Sequence, residues 1–545
     1  MGTGSVAPDM VATSPDTGLV FQGHLRESGL MQDLDLIARP SSRLSAVALA
    51  RRLGPADADR GPTYRDLADR IRAALLDGRL AVGTGLPSER ELAGGLALSR
   101  TTVGAAYALL RDQGWLDSRR GSGSRLRLPD GAAPPGLAGV GAAGAAIFGY
   151  PAVGSDDIID LTVASLPPPA DALRAAVVAA TEDLMTHAAT DGYHPYGLPE
   201  LREVIADRFT AAGVPTTVEQ VLVTSGAQHA FTLGLGEFSA AGDRVLLECP
   251  TYPIALDAVR HHRRVPVPVG LAASCDVAPD GSTPTAEQTW DLGVIGPALR
   301  HSTPRLAYLI PDFHNPTGAV MPWSTREALV AAARSAGTLL MVDESFRDIS
   351  FPGSGPLPPP VAAADTRRGG EIVLTLGSVS KPLWGGLRTG WVRGTPAQIR
   401  RLAAARALGD MAGPVLDQLV ATRLLQEPQG ALDVQRARVA AGAQAVQSAL
   451  ARYLPTWRWT TPAGGTSLWV RLPEASATEL AAVAPAAGVR VVAGPRFGPD
   501  GTMGEHLRLP FTASPDVLTE AVRRLSGVAE QAAERARSSI PGWLA

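Results

Sequence analysis

Five short apolar runs constrain this chain more than any other feature: QVLVTSG (220–226), RVLLECP (244–250), LAYLIPD (306–312), LLMVDES (339–345) and IVLTLGS (372–378). Each is apolar almost without interruption. A strand buried on both faces reads this way, whereas a strand with one wet face alternates. Helical stretches such as LRAAVVAATEDLM and REALVAAARSAG lie among them. Strands interspersed with helices predict an α/β architecture, a mostly parallel sheet covered by helices on both faces. This region starts near Ile158. Beyond about Thr395 a long helical stretch leads to a smaller α/β segment around TSLWVRLP and HLRLPF.

A chain of 545 residues exceeds one ordinary domain. Residues 1–40 are polar and aperiodic and are predicted to be disordered. Residues 41–128 form a compact helical module, 129–157 a Gly/Ala/Pro linker, and 158–545 the large α/β body. Residues 132–155 carry no charge, but Gly and Pro interrupt them too often for a membrane span. Two cysteines, Cys249 and Cys275, supply neither a disulfide framework nor a metal cluster. Together with a start that lacks a basic-then-apolar leader, this predicts a cytoplasmic protein with no bound metal and no membrane contact. The net charge of −3 excludes a globally basic nucleic-acid binder but not a local basic patch.

Such a patch lies in the helical module. YRDLADRIRAALLDGRL and LPSERELAGGL read as two helices, the second with Ser88 as its N-cap. SRTTVGAAYALLRDQGWL reads as a third, capped by Ser99 and ended at Gly114. WLDSRRGSGSRLRL then alternates into a two-stranded wing with a Gly-Ser-Gly turn. RLSAVALARRL (43–53) adds a short helix in front. Residues 62–127 hold eleven arginines against seven carboxylates, a balance of +4 that suits phosphate contact. A winged helix-turn-helix that binds double-stranded DNA is the expectation.

In the body, Lys381 is the only lysine of a chain with 50 Lys and Arg together, so the other 49 are arginines. Arginine can replace lysine as a surface charge but not as an amine nucleophile, because guanidinium keeps its proton. A desolvated lysine can lose its proton and form a Schiff base with a carbonyl. Ser378 and Ser380 precede Lys381 and Arg388 follows it in GSVSKPLWGGLRTGW, groups suited to a phosphate on the carbonyl partner. Pyridoxal 5'-phosphate (PLP) meets that description and predicts further parts. Asp343, at the end of LLMVDES, is placed to hold the pyridine nitrogen protonated. Asn315 in HNPTG is placed to donate to the ring oxygen, and Tyr252 in PTYP to cover the ring face. Ser225, Gly226, Ala227 and Gln228 form a strand-to-helix turn suited to the phosphate. NPTG alone is an ordinary turn signal, and an isolated tyrosine is more often core; the ordered set carries the specificity.

LPSERELA, SRTTVGAAYALL and GWLDSRRGSG resemble the GntR family of bacterial repressors. The resemblance implies that Arg90 and Arg100 face DNA, with Ser99, Thr101 and Thr102 at the start of the recognition helix and Arg119, Arg120 and Gly121 in the wing. SGAQ, PTYP, HNPTG, the strand-end Asp343 and SVSK with GLRTG resemble the fold-type I PLP aminotransferases. That resemblance adds Tyr193 and Tyr196 of YHPYG, one reaching the phosphate of a neighbouring subunit, and Arg508 of HLRLPF as an amino-acid carboxylate binder. One departure stands out. The family places a tyrosine shortly after the aspartate, whereas this chain has Phe346, which cannot donate.

The two modules in this order resemble the MocR/GabR regulators. The resemblance implies a homodimer that binds promoter DNA and responds to PLP or a small amino compound. Two alternatives stay open: an active aminotransferase carrying a DNA-binding head, and a PLP-carrying scaffold that represses without responding to a ligand.

Overall fold

The computed structural model describes residues 43–53, 63–76, 80, 84–119, 123–127, 157–272, 289–366, 370–473, 477–499 and 502–538. The expected disorder at 1–40 and nearly all of the expected linker lie outside the described residues, as do Arg120 and Gly121.

The N-terminal module comprises α1 (Ala46–Leu53), α2 (Tyr64–Leu76), α3 (Glu89–Leu96) and α4 (Arg100–Asp112), followed by the antiparallel strands β1 (Leu116–Arg119) and β2 (Gly123–Leu126). Ser88 closes a capping box on α3: its Oγ accepts from Glu91 N–H, and the Glu91 carboxylate accepts from Ser88 N–H at 2.8 Å. Ser99 Oγ accepts from Thr102 N–H at 2.9 Å and so starts α4 one residue later. Leu49, Leu67, Ile71, Leu92, Val103 and Leu110 share one core, and the buried Tyr107 hydroxyl donates to Pro87 O at 2.9 Å. Gly95 gives α1 its seat, because a Cβ there would come within 2.6 Å of Ala46 Cβ.

The body is built on a seven-stranded sheet of β3 (Val221–Thr224), β4 (Arg244–Cys249), β5 (Val265–Gly270), β6 (Leu306–Leu309), β7 (Leu339–Asp343), β8 (Val373–Ser378) and β9 (Gly390–Arg393). Their spatial order is β3-β9-β8-β7-β6-β4-β5. Only β9 runs antiparallel to its neighbours. The five apolar runs of the sequence all lie in this sheet. Two strands gave weaker signals. VPVPVG (β5) contains two prolines, which only an edge strand tolerates, and β5 is an edge. GWVR (β9) is too short for periodicity to register.

Successive strand residues feed opposite cores, as the pleat dictates. Val221, Val223, Leu246, Ala307, Leu340 and Val342 face one hydrophobic cluster, and Leu222, Val245, Leu247, Leu306, Tyr308 and Met341 the other. Helices α5 (Ala170–His187), α6 (Pro199–Ala211), α7 (Ala227–Phe238) and α8 (Trp323–Ala336) contribute to these clusters. A smaller subdomain packs α9 (Gln429–Tyr453) and α10 (Pro515–Ser538) on an antiparallel sheet that includes β10 (Ser467–Arg471) and β11 (His506–Pro510).

Candidate functional site

Parallel strands end together, and the loops beyond those ends form a crevice. Here the C-terminal ends of β6, β7 and β8 open on a cavity of about 590 Å³. Of the residues expected from sequence, Ala227, Gln228, Tyr252, Asn315, Asp343, Ser378, Ser380, Lys381 and Arg388 line it, although they are spread over more than 160 positions. Phe346 lines it too.

Lys381 Nζ donates to Ala164 O at 2.9 Å and lies 5.6 Å from the centre of the Phe346 ring. Burial, aided by Arg508 and Arg388 and opposed by Asp343, pulls its amine down from 10.5 to about 8. Asp343 is fully engaged: Oδ1 accepts from Ser345 N–H at 3.0 Å and Oδ2 from the Tyr308 hydroxyl at 2.8 Å. Burial and the Asp343 carboxylate raise the Tyr308 phenol well above its usual value, so it stays the donor. Burial likewise raises Tyr252. Ser378 Oγ donates to Thr389 O at 3.1 Å and accepts from Ser380 N–H at 3.0 Å, fixing the turn that carries Lys381.

Five of the expected residues lie outside the cavity lining. Gly226 sits behind it at φ +88°, where a Cβ would come within 2.9 Å of Arg388 Nη2. Ser225 turns away: its Oγ donates to Asp410 Oδ2 at 3.2 Å, while its carbonyl accepts from Arg388 Nη2 at 3.0 Å. Tyr193 is 59% exposed, and Tyr196 packs under Arg202. Arg508 is buried, lies over the Phe497 ring and donates to Thr162 O. Burial pulls its guanidinium down to about 10.

Sequence reasoning passed over Tyr308 and the segment that carries Val163 and Ser165, all of which line the cavity. A signal for Tyr308 was present. It is the only hydroxyl in LAYLIPD, and a hydroxyl in a doubly buried strand must find a partner. Val163 and Ser165 carry no such signal, because their segment reaches the site only through tertiary packing.

The donor set fits a phosphorylated pyridine aldehyde. It offers an amine near neutrality, an oriented carboxylate, an aromatic face and a helix N-terminus. Two buried polar atoms beside the cavity, Asn315 Oδ1 and Ser380 Oγ, have no partner among the described residues.

Residues 156–525 match the model of the aminotransferase class I and II family. The chain belongs to that family. Residues 63–126 match the gntR family of bacterial regulatory proteins, so this aminotransferase-like body carries a GntR-type DNA-binding module ahead of it. The 2-aminoadipate transaminase of Thermus thermophilus is 33% identical over 350 residues, 63% of this chain and 81% of that enzyme. The HTH-type transcriptional regulator YisV of Bacillus subtilis is 28% identical and extends further, over 75% of this chain and 84% of its own. Among solved structures, LysN, the α-aminoadipate aminotransferase of Thermus thermophilus complexed with N-(5'-phosphopyridoxyl)-L-leucine, superposes with a TM-score of 0.60. It is 28% identical and covers 70% of this chain and 94% of its own. The two-module layout is that of the MocR-type regulators.

In the DNA-binding module, Arg90, Ser99, Arg100 and Thr101 are exposed. Thr102 is half-buried, and its hydroxyl shares a hydrogen bond with Ser99 Oγ at 2.7 Å, an arrangement that serves the helix cap. Arg100 Nε lies 3.9 Å from Glu89 Oε2. Arg119 sits in β1, next to the wing turn. Arg72 bonds Glu479 Oε1 at 3.4 Å. Among the described residues no helix is long and apolar enough to cross a membrane, and no cluster of His, Cys, Asp and Glu is arranged to hold a metal.

Proposed function

We propose that this chain is a cytoplasmic, homodimeric transcriptional regulator that binds PLP in its aminotransferase-like body and changes its grip on promoter DNA when PLP or a small amino compound occupies that site. The carrying observation is the Lys381 amine, drawn down to about 8 within the Asp343–Asn315 cavity of a chain that also bears a GntR-type module. The module boundaries follow the sequence reading: winged helix 41–128, linker 129–157, body 158–545.

PLP supplies an aldehyde for a lysine amine and an electron-withdrawing ring. Near pH 7 a part of the Lys381 amine is free of its proton and able to attack, whereas a fully solvated lysine is almost wholly protonated. Asp343, oriented by two hydrogen bonds, holds a proton on the ring nitrogen. Asn315 addresses the ring oxygen and Tyr252 covers the ring face. The N-terminus of α7 at Ala227 and Gln228, with Ser378, Ser380 and Arg388, receives the phosphate. Ser225 and Gly226 shape that turn from behind. Tyr193, exposed within one chain, serves the partner's site across the dimer. Arg508 takes the carboxylate of an amino-acid effector once Thr162 O yields its guanidinium.

On DNA, the arginines at 90, 100, 119 and 120 neutralise backbone phosphates, Gly121 forms the wing with the last two, and Ser99, Thr101 and Thr102 set the start of the recognition helix against base edges. A two-fold dimer presents two such helices to paired half-sites. Occupancy of the body and DNA affinity are then two ends of one coupling free energy.

The test is binding of the purified protein to its own upstream DNA at one salt concentration, with PLP, without PLP, and as Lys381→Ala. A PLP-dependent change in affinity that Lys381→Ala abolishes supports the reading. Equal affinity in all three states refutes the sensing role.

A second reading, a working transaminase, draws support from the likeness to LysN and to the 2-aminoadipate transaminase. Phe346 weighs against it. Its ring occupies the space beside Nζ, and it brings no hydroxyl to tune the nitrogen's proton affinity. Turnover of an amino donor with a keto acid separates the two readings.

A further inference from the structure

Two residues that face the ring, Tyr252 and Asn315, stand on turns that share one buried carboxyl. Glu248 of β4 lies four residues ahead of Tyr252 and is completely buried. By the pleat it shares a face with Leu246, and it lines no part of the cofactor cavity. Three N–H groups converge on it. Trp290 Nε1 donates to Oε1 at 2.7 Å, Ile310 N–H donates to Oε2 at 2.9 Å, and His314 Nε2 stands 3.3 Å from Oε2. The last is a charge contact without hydrogen-bond alignment. Positions 310 and 314 bracket the stretch that leads from β6 to Asn315.

His314 closes the turn that presents Asn315. Its carbonyl accepts from Gly318 N–H at 2.6 Å, and its Nδ1 meets Thr317 Oγ1 at 2.9 Å. Thr317 N–H also points at Nδ1, at 3.5 Å, so Nδ1 is the acceptor and the ring proton sits on Nε2, facing Glu248. This turn needs holding. Phe313, directly before His314, has φ +48°, a left-handed conformation that a residue with a Cβ disfavours and keeps only where its surroundings fix it. Asp312, held by Arg326 and Arg347, anchors the stretch from its other side.

We propose that Glu248 is a positioning residue for the cofactor: through His314 it aims the Asn315 amide at the ring oxygen without touching PLP itself. The inference rests on the reading that Asn315 donates to that oxygen. A carboxylate suits the task because both of its oxygens accept. Glutamine has one accepting oxygen, so either Trp290 or the Ile310–His314 pair would lose its acceptor.

The test follows PLP binding to the full chain by visible absorbance, in a double-mutant cycle of Glu248→Gln with Asn315→Ala. Glu248→Gln is expected to weaken PLP binding about fivefold or more in the parent, and by less than about twofold beside Asn315→Ala, the pattern of residues that act as a unit. The pH midpoint of the visible band is a readout that lost packing alone would not move. A donor at the ring oxygen draws charge away from the Lys381 nitrogen, so its loss lets that nitrogen keep its proton to higher pH. Both single variants are expected to raise the midpoint, and the double variant no further than Asn315→Ala alone. Thr317→Val removes the hydroxyl at Nδ1 from a half-buried position. It is expected to repeat the pattern at smaller size, and it carries the test should Glu248→Gln fail to fold. An equal loss in both backgrounds overturns the proposal. That result includes a loss carried through Tyr308, whose phenol, raised chiefly by burial and Asp343, also feels the Glu248 charge. Unchanged affinity and midpoint in Glu248→Gln overturn it as well. A parent chain that takes up no PLP fails the cofactor reading itself, and the proposal falls with it.

Discussion

Replacing Lys381 by methionine should stabilise the cofactor-free protein, by an amount that depends on pH. The amine titrates at about 8 in the folded chain against 10.5 when unfolded. Its folded value lies below its unfolded value, so between these two pH values the unfolded chain holds more protons and stability rises with pH. The penalty for keeping a charged amine in this site is therefore full below about pH 8 and vanishes above about 10.5. Two and a half pH units correspond to about 3 kcal/mol, nearly all of it present at pH 7. Methionine keeps the apolar stem without the charge, so Lys381→Met should be more stable by about 2–3 kcal/mol at pH 7. The gap should shrink by about 1.3 kcal/mol between pH 7 and 9. No other lysine contributes to this difference, because the chain has none. Denaturant unfolding of both proteins at the two pH values measures it. A variant less stable than the parent at pH 7, or a gap that does not change with pH, would refute the assignment of Lys381 as a desolvated, near-neutral amine.

Tyr308→Phe removes the hydroxyl that donates to Asp343 Oδ2 at 2.8 Å, and PLP affinity should fall by roughly tenfold, the scale of one hydrogen bond to a charged group, as followed by absorbance titration. Ser99→Ala deletes the cap of α4 and should destabilise the module by about 1 kcal/mol, read as a lower thermal midpoint and weaker DNA binding. Arg100→Ala should weaken DNA binding across sequences and reduce the salt slope by about 1, measured over a salt series. Gly226→Ala forces a side chain into φ +88° and against Arg388, so it should cost about 1–2 kcal/mol and lower phosphate affinity, read by PLP titration.

The exchange of a tyrosine for Phe346 gains meaning beside Tyr308. The Phe346 ring beside Lys381 Nζ carries no hydroxyl, whereas the Tyr308 hydroxyl donates to Asp343 Oδ2. The proton balance at Lys381 is set by burial, with Arg508 and Arg388 lowering the amine and Asp343 opposing them.

Much of this protein is legible in its sequence because the signals are local. The five apolar runs became strands because runs of Val and Leu this short suit a sheet buried on both faces. Ser88 and Ser99 capped their helices because a hydroxyl at that position satisfies an amide that would otherwise be orphaned. Lys381, Asp343, Asn315 and Tyr252 could be named because each stands in a short motif whose chemistry explains its residue. The tertiary structure alone decided what depends on distance. It placed α1 on Gly95, turned the Ser225 hydroxyl toward Asp410, and brought Ala164 O to the lysine and Thr162 O to Arg508. These contacts join residues tens to hundreds of positions apart, and packing supplies them only when the sheet has assembled and its two faces have been separated.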